Sequence, residues 1–318
     1  MTSPVASPTT AGAFARPLRT TGVYGRFLRH PLTRLGLPIL IFLVICAVFA
    51  NQLSRPSLDP RIPFPNPKAL YPDGLSSLGV PHSPDRNYWL GADTLGRDVR
   101  TRLLFGARLS LSIALCAMIT STLIGTFVGL LAGYFGGRVD STLTRITEII
   151  SSLPAILLAI TLTLVLPDTW REAWPFSALN LDPRLVIAIG LVTWTGISRA
   201  VRGQVLSLKE REFVEAARSL GQSNSQILIR HILPNVLPTV ITLAVLATAS
   251  NILLEAGLSY LGLGAPENPS WGAMIADGQP YFTNAPWISL SAGIAIIMAV
   301  AAFNLLGNAL TESLETRR

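Results

Sequence analysis

The most regular feature of this chain of 318 residues is a series of long apolar stretches separated by polar segments. A helix needs about 20 apolar residues to cross the hydrocarbon core of a bilayer. The apolar stretches occupy residues 35–53, 107–133, 143–166, 185–197, 236–261 and 288–310. The pattern therefore predicts an all-α integral membrane protein with six transmembrane helices.

The polar segments divide the chain further. Residues 1–34 begin with a stretch rich in Ser, Thr, Pro and Ala, which predicts a partly disordered tail. Residues 54–104 are polar and Pro-rich, residues 105–311 hold the other five spans, and residues 312–318 form a second polar tail. The first span could instead be a cleaved signal peptide, because the sequence AVFA, which ends at Ala50, resembles the small-residue site at which signal peptides are cleaved. The long polar region before it favours an uncleaved span.

Basic residues decide the predicted orientation. Cytoplasmic loops of membrane proteins carry an excess of Lys and Arg. Here basic residues are concentrated before the first span, in residues 199–230 and at the C-terminus. This distribution predicts that both termini are cytoplasmic. The segment 54–104 is then extracytoplasmic, although it also carries several arginines.

The composition agrees with a membrane protein and narrows its partners. Hydrophobic residues make up 50% of the chain and charged residues only 14%, whereas soluble domains carry about 25% charged residues. A net charge of +7 on a soluble protein would suggest nucleic acid, but arginines that face anionic headgroups explain it here. We therefore predict the lipid bilayer, and no nucleic acid, as a partner.

Residues suited to catalysis or metal binding are scarce. Cys46 and Cys116 lie in apolar stretches, where a free thiol is a packing residue, and the three histidines have no metal-ligand spacing. Neither lysine, Lys68 or Lys209, lies in the Gly-rich loop that cradles nucleotide phosphates. We expect no catalytic residue, no metal site and no cofactor in this chain, and any ATP hydrolysis belongs to another chain.

A charged segment, residues 203–234, separates the fourth and fifth spans. Phe213, Ala217 and Leu220 follow helical spacing and predict a short helix with one apolar side. Gly221 suits the left-handed residue that ends a helix. The sequence thus predicts a helix followed by a sharp turn.

A second helix is predicted directly after this turn. Ser223 and Gln226 have the spacing of a capping box. The apolar residues that follow continue the helix as far as Pro234, which should stop or kink it.

Three explanations of this segment compete. A DNA-reading helix–turn–helix needs a strongly basic surface, but acidic residues nearly balance the basic ones here. The second explanation is a connecting loop that is helical but binds no partner. The third is a docking element for a cytoplasmic partner, because Ala216, Ala217 and Gly221 are small enough for close approach. Charged side chains around them would fix the register of the partner.

Residues of this segment resemble the EAA loop of the permease subunits of bacterial ABC importers. The matching residues are Glu215-Ala216-Ala217, Gly221 and Leu233-Pro234, whereas His231 stands where the family favours an apolar residue. The stretches WLGADTLGRDVRTRLLFGARLSL, LPAILLAI, LSYLGLG and PSWGAMIADGQ resemble the dipeptide, oligopeptide and nickel branch. The resemblance covers residues 89–310.

The resemblance implies a type I ABC importer permease fold in which residues 203–234 form the coupling-helix loop. The loop would sit in a cleft of an ATPase subunit. The residues at this contact would be Glu212, Phe213, Glu215, Ala216, Ala217, Arg218, Leu220 and Gly221. Two ATPase subunits would bind ATP and Mg, a second permease subunit would complete the path, and an extracytoplasmic solute-binding protein would deliver the solute. Such a complex lies in the bacterial cytoplasmic (inner) membrane.

The implied function is ATP-driven import, with this chain forming half of the path for dipeptides or oligopeptides. Nickel chelates or another small solute are an alternative cargo for the same machinery. A stand-alone secondary carrier or channel is a further alternative, although the coupling-ion sites and internal repeats typical of carriers are not evident in this sequence.

Polar residues within the spans are candidates for the solute path. Ionisable or amide side chains in a membrane are costly and usually face a bundle interior or water. Asn251 and Glu255 are predicted to share one face of the fifth span, and Asn304 and Asn308 one face of the sixth. Hydrogen bonds within the packing are the alternative role. Glu255 is the best candidate to meet the amino group of a peptide.

The segment before the sixth span adds two candidates. Trp271 and Trp287 suit an aromatic belt at the membrane interface. The family resemblance also implies a short helix that dips into the outer mouth, near the docked solute-binding protein. Trp271 and Asp277 would then contribute to an outer gate.

Three glycines in the second span predict close helix packing. Gly125, Gly129 and Gly133 recur every four residues and therefore lie on one face. A seam that moves during transport is the alternative interpretation.

Overall fold

A computed structural model describes residues 23–54, 66–71, 73–77, 79–167, 169–170, 181–264 and 268–315. Among these residues, β structure is limited to two isolated bridges. The helices are α1 (Val23–Arg29), α2 (Pro31–Val48), α3 (Ala50–Leu53), α4 (Val99–Phe135), α5 (Gly137–Ser152), α6 (Ala155–Val165), α7 (Pro183–Leu208), α8 (Glu212–Ser219), α9 (Asn224–Ile227), α10 (Leu233–Tyr260), α11 (Trp271–Gly278) and α12 (Pro286–Glu315). A π-helical turn, Leu228–Ile232, joins α9 to α10. The predicted disordered stretch at the start of the tail lies outside the described residues.

Five helical segments of the described chain are long and apolar enough to cross a membrane. They are Pro31–Val48, Val99–Phe135, Pro183–Leu208, Asn224–Tyr260 and Pro286–Leu314. The predicted third span is not one straight helix, because α5 and α6 meet at 96°. Leu153 is extended, with φ −86° and ψ 140°, a conformation favoured because the ring of Pro154 crowds a helical conformation of the residue before it. If the bent pair is one span, the total is the predicted six.

Two spans extend further than their apolar residues indicate. α4 begins before the predicted second span because Asp98 caps it, accepting from the Thr101 N–H at 2.8 Å. α7 continues past the predicted fourth span. Its polar residue Arg202 is paired with Asp140 of α5, with 2.7 Å between Nη2 and Oδ2. This ion pair and the buried Val201 and Val205 hold the extended part of α7 against its neighbours.

The predicted close packing of the second span is confirmed at the seam between α4 and α7. A Cβ atom on Gly125 would lie 2.6 Å from the Trp194 carbonyl oxygen, and one on Gly129 would lie 2.7 Å from the Ser198 carbonyl oxygen. A Cβ atom on Gly133 would lie 3.0 Å from the Arg202 carbonyl oxygen. The backbones of the two helices touch along this face, as small residues permit.

α2 packs against α12 at the edge of the bundle. His30 Nε2 lies 2.8 Å from Glu312 Oε2 and joins the ends of the two helices. Gly36 allows the Ala302 carbonyl to approach, since a Cβ atom at Gly36 would lie 3.1 Å from it. The other side of α2 leaves Phe42 54% exposed, as expected of a surface that faces lipid.

Candidate functional site

α4 separates two polar regions of the chain. A helix of 37 residues is about 55 Å long. At its C-terminal end the Tyr134 hydroxyl donates to Asn224 Oδ1 at 2.9 Å, and we call this region the loop end. At its N-terminal end Arg102 contacts Asp277 of α11, and we call this region the mouth end. Any coupling between the two regions must act along the length of the bundle.

At the loop end, α8 is held against the bundle by one side only. Val214 and Ala217 are buried in a cluster with Ile227 and with Val201 and Val205 of α7. Their spacing of three positions puts both side chains on one face of α8. This packing fixes α8 to the transmembrane helix before it and to the helix after it.

The exposed face of α8 carries large apolar side chains. Phe213 is 40% exposed and Leu220 is 81% exposed. The predicted apolar side of Phe213, Ala217 and Leu220 is therefore wrong. The shorter Val214 and Ala217 are buried instead, in the cluster that also holds Val201 and Val205 of α7. Ala217 is buried within its own chain, while Ala216 is exposed.

The turn after α8 is a Schellman motif. The Gln222 N–H donates to the Ala217 carbonyl at 3.2 Å, and the Gly221 N–H donates to the Arg218 carbonyl at 3.0 Å. Gly221 has a φ of 77°, which confirms its predicted conformation. A Cβ atom there would meet no described atom within 4 Å. The position therefore favours glycine because of its backbone conformation and not because of crowding.

The predicted capping box is confirmed at the start of α9. Ser223 Oγ accepts from the Gln226 N–H at 3.4 Å, and Gln226 Oε1 accepts from the Ser223 N–H at 3.0 Å. The sequence predicted that Pro234 would either stop or kink the second helix. The helix does not stop there. The π-helical turn before Pro234 carries the chain from α9 into α10 and accommodates a residue without an N–H. The loop and the fifth span are thus one continuous element.

At the mouth end, α11 inserts its first residue into the core. Trp271 is fully buried, and its Nε1 donates to the Leu103 carbonyl at 3.1 Å. Small neighbours make room, since a Cβ atom on Gly106 would lie 3.0 Å from the indole and one on Gly272 would collide with the Ala256 carbonyl. The interfacial position predicted for Trp271 is therefore wrong. Its indole N–H finds an acceptor inside the bundle, which removes the need for water.

Four charged residues form an ion network beside α11. Asp93 is fully buried and accepts from Arg97 Nε at 2.6 Å and from Arg102 Nη1 at 2.5 Å. Asp277 Oδ2 accepts from Arg97 Nη2 at 3.3 Å and from Arg102 Nη2 at 2.7 Å. Charges removed from water need such pairing. The network fixes α11 to the start of α4.

An open cavity of about 740 Å³ lies beside this network, and we call it the mouth cavity. Its walls are formed by the segment around Lys68, the start of α4, the end of α10 and α11. The polar lining residues include Lys68, Arg97, Arg102, Ser259, Tyr260, Asn268, Ser270 and Asp277. A concave site of this size with a few convergent polar groups is typical of small-molecule binding.

Comparison with known proteins places the chain in a family. Residues 125–318, which include the whole loop end from α7 to α10, match the family described as "Binding-protein-dependent transport system inner membrane component". The chain belongs to this family. It is a membrane permease subunit, and the predicted permease fold is confirmed.

Relatives of this permease are similar over most of its length. The oligopeptide transport system permease protein OppC of Bacillus subtilis (strain 168) is 33% identical over 293 residues, which are 92% of this chain and 88% of the relative. The dipeptide transport system permease protein DppC of Alkalihalophilus pseudofirmus is 32% identical over 290 residues, 91% of this chain and 87% of the relative. The glutathione transport system permease protein GsiD of Escherichia coli O6:K15:H31 is 33% identical over 293 residues, again 92% and 88%. The predicted resemblance to permeases of peptide importers is confirmed.

Solved structures are also similar to this permease. A chain of the MetNI methionine ABC transporter in an inward-facing conformation gives a TM-score of 0.49 at 18% identity, covering 65% of this chain and 93% of that chain.

The permease buries the two polar residues of its fifth span that the sequence analysis singled out. Asn251 and Glu255 share a face, as predicted, and both are fully buried. The Asn251 amide is satisfied when Oδ1 accepts from the Met118 N–H at 3.1 Å and Nδ2 donates to the Thr193 hydroxyl at 3.2 Å. Glu255 Oε1 accepts from the Ser259 hydroxyl at 2.8 Å. The bonds of Asn251 join α10 to α4 and α7, and a role of either residue in the solute path stays a prediction.

The other residues predicted for the solute path or the outer gate lie in different places in the permease. Asn304 and Asn308 are both exposed on α12, and their contact with solute also stays a prediction. Asp277 lines the mouth cavity, whereas Trp271 lies in the core.

Sequence reasoning missed the partners of Asp277 in the permease. Arg97 follows Asp93 by four residues, a spacing that permits a local ion pair. Both residues lie in a polar stretch in which apolar residues follow neither helical nor strand spacing, so the sequence did not indicate that either side chain is buried. Arg102 lies in the first turn of α4, and its carboxylate partner on α11 is remote in sequence.

Proposed function

We propose that this permease forms one half of the solute path of an ATP-driven importer of short peptides in the bacterial cytoplasmic membrane, with both termini in the cytoplasm. A second permease subunit supplies the other half. Two ATPase subunits bind ATP and Mg, and an extracytoplasmic solute-binding protein delivers the peptide. The names of the relatives support a peptide as the solute, because oligopeptides, dipeptides and glutathione are all peptides.

The observation that carries this proposal is the two-sided character of α8. One side is packed into the bundle through Val214 and Ala217, and the other side exposes Phe213 and Leu220 to the surroundings. Exposed apolar side chains of this size favour burial against another protein. The residues proposed to contact the ATPase are Glu212, Phe213, Glu215, Ala216, Arg218, Leu220 and Gly221, whereas Ala217 supports α8 from behind.

The way α8 is attached supports its role in coupling. A displacement of α8 acts on α7 through the buried Val214 and on α10 through the helix that begins at Asn224. Tyr134 of α4 holds the same element through its bond to Asn224. Closure of the ATPase pair would therefore move three transmembrane helices together. Packed helices shift between discrete arrangements rather than deform continuously, as alternating access requires.

Substitution of Leu220 tests this proposal in the full complex. Leu220→Asp places a charge on the most exposed apolar side chain of the loop, so we expect normal insertion of the permease but loss of the ATPase subunits on co-purification and loss of ATP-dependent peptide uptake. Val80→Asp is the matched control, because Val80 is also an exposed apolar residue, 44% exposed, and lies in the segment on the other side of the membrane. Retention of the ATPase and of uptake by Leu220→Asp would contradict the proposed coupling surface.

A further inference from the structure

We propose that His231 is a positioning residue for coupling, which transmits the displacement of α8 to the fifth span through its hydrogen bond with Gln222. The two residues are nine positions apart and lie on either side of α9. This inference rests on the proposed function, since it names the side chain that joins the helix proposed to contact the ATPase to the transmembrane helix that it moves.

The bond between His231 and Gln222 passes beside the short helix α9. His231 Nε2 lies 2.8 Å from Gln222 Oε1, and both residues are half-buried. An amide oxygen only accepts, so the ring N–H at Nε2 donates. A helix of four residues is too short to be rigid by itself. A direct bond between the turns before and after α9 therefore fixes their separation.

The Gln222 end of this bond moves with α8. The Gln222 N–H donates to the Ala217 carbonyl as part of the Schellman motif that ends α8. Gly221, in its left-handed conformation, sets the direction in which the chain leaves the helix. A rotation of α8 therefore carries the Gln222 side chain with it.

The His231 end of the bond belongs to the fifth span. His231 lies in the π-helical turn, in which the Leu233 N–H donates to the Leu228 carbonyl. Its own carbonyl accepts from Asn235 Nδ2 of α10 at 2.7 Å. The Asn235 carbonyl accepts in turn from Gln204 Nε2 of α7 at 3.3 Å. A displacement of His231 thus acts on α10 directly and on α7 through Asn235.

Apolar packing at the loop end does not set this geometry by itself. Val214, Ile227 and Ile232 are buried in one cluster and come from α8, α9 and the π-helical turn. Hydrophobic contacts have no preferred direction, whereas a hydrogen bond weakens steeply as its angle departs from linear. The bond of His231 therefore adds a directional restraint, so that α8 and α10 move as one body rather than slide past each other.

The amount of peptide imported per ATP hydrolysed tests the inference. The permease with its partner permease and ATPase subunits is placed in proteoliposomes with the solute-binding protein, and uptake of tritiated trialanine and ATP hydrolysis are measured together. His231→Leu keeps an apolar side chain but cannot donate. We expect normal assembly and ATP hydrolysis, with uptake per ATP about fivefold lower, the factor that corresponds to one neutral hydrogen bond. A defect of assembly alone would lower both activities and leave their ratio unchanged.

Further variants assign the effect to the bond. His231→Gln should restore most of the ratio, because its amide group can donate to Gln222 Oε1. Gln222→Leu removes the acceptor and should lower the ratio as His231→Leu does, and the double variant should show no further loss. His82→Leu is the matched control, because His82 is also a partly exposed histidine but lies in the segment at the mouth end. It should keep the wild-type ratio.

Hydrogen exchange gives a second measurement that does not depend on transport. The Gln222 N–H should exchange about fivefold faster in His231→Leu than in the wild-type complex, because the turn opens more often without the bond. An unchanged exchange rate, an unchanged ratio in His231→Leu, or additive losses in the double variant would each overturn the inference. If His231→Leu fails to assemble, Gln222→Leu decides by the same criteria. Failure of the proposed function would be different, because the wild-type complex would then show no ATP-dependent peptide uptake.

Discussion

Arg102 Nη2 donates to Asp277 Oδ2 at 2.7 Å and joins the first turn of α4 to the last turn of α11, 175 positions away in the sequence. The side chain of Arg102 is only 4% exposed, and the same guanidinium group also holds the fully buried Asp93. Arg102 and Arg97 together thus compensate the two carboxylates and fix the short helix that forms a wall of the mouth cavity.

Loss of the Arg102 charge should destabilise the mouth end strongly. Arg102→Met keeps most of the aliphatic length but leaves Asp93 with Arg97 as its remaining ion-pair partner among the described residues. Leaving a buried charge unpaired costs about 3–5 kcal/mol. Because Arg97 still pairs with Asp93, we expect a loss below that range but a clear fall in the apparent melting temperature of the purified complex. Arg86→Met, at an exposed position of the same segment, should leave the melting temperature unchanged. Equal melting of both variants would show that the network adds no stability.

Gly221→Ala tests the turn that presents α8. The φ of 77° costs a residue with a Cβ atom about 1 kcal/mol, and the space around it within this chain is open, so a loss of stability of the turn reflects its backbone conformation. We expect faster limited proteolysis at this turn and reduced peptide uptake. Gly203→Ala is the control, since Gly203 is exposed within α7 and a Cβ atom there would also meet no described atom within 4 Å. That change should be neutral or stabilising by up to about 1 kcal/mol.

Gly129→Ala tests the seam between α4 and α7. The added Cβ atom would lie 2.7 Å from the Ser198 carbonyl oxygen and from Val201 Cβ, so the helices must separate. Overpacking of this kind costs about 1–3 kcal/mol, which thermal unfolding of the purified permease complex would report. Gly196→Ala changes a glycine of α7 that meets nothing within 4 Å, and it should be tolerated. A Gly129→Ala complex as stable as the wild type would mean that the seam is looser than described.

A charge exchange tests the link between α5 and α7. Arg202→Asp should lower stability by about 1 kcal/mol, as expected of a partly exposed pair, because it places two carboxylates side by side at Asp140. Asp140→Arg alone should have a similar effect. The double variant restores opposite charges and should recover most of the loss in thermal unfolding measurements. Additive losses in the double variant would exclude a direct interaction between the two side chains.

The features that the sequence predicted correctly depend on neighbouring residues. The left-handed conformation of Gly221 and the capping box of Ser223 and Gln226 are local, because each involves backbone groups within one turn of helix. The packing of Gly129 was also predictable, since a repeat of small residues on one face indicates a close neighbour even when that neighbour is unknown.

The features that the sequence did not predict depend on residues remote in the chain. Val214 rather than Phe213 faces the bundle because α7 supplies a matching surface there, and helical spacing alone allows either choice. The burial of Trp271 depends on space beside Gly106, far from it in sequence. The break at Leu153 has a local cause, because Pro154 directly follows it. It was not predicted because the apolar residues continue on both sides of the proline and indicate a single span.

The π-helical turn Leu228–Ile232 sets the direction in which the loop faces. A π turn holds one residue more than an α-helical turn, and each residue of a helix rotates its successors by about 100°. Removing one residue there would turn α9 and everything attached to it about the axis of α10 by roughly that angle. The direction in which the exposed surface of α8 and α9 faces is thus set independently of the buried face of the span, and a single-residue deletion would misalign the two without altering any contacting side chain.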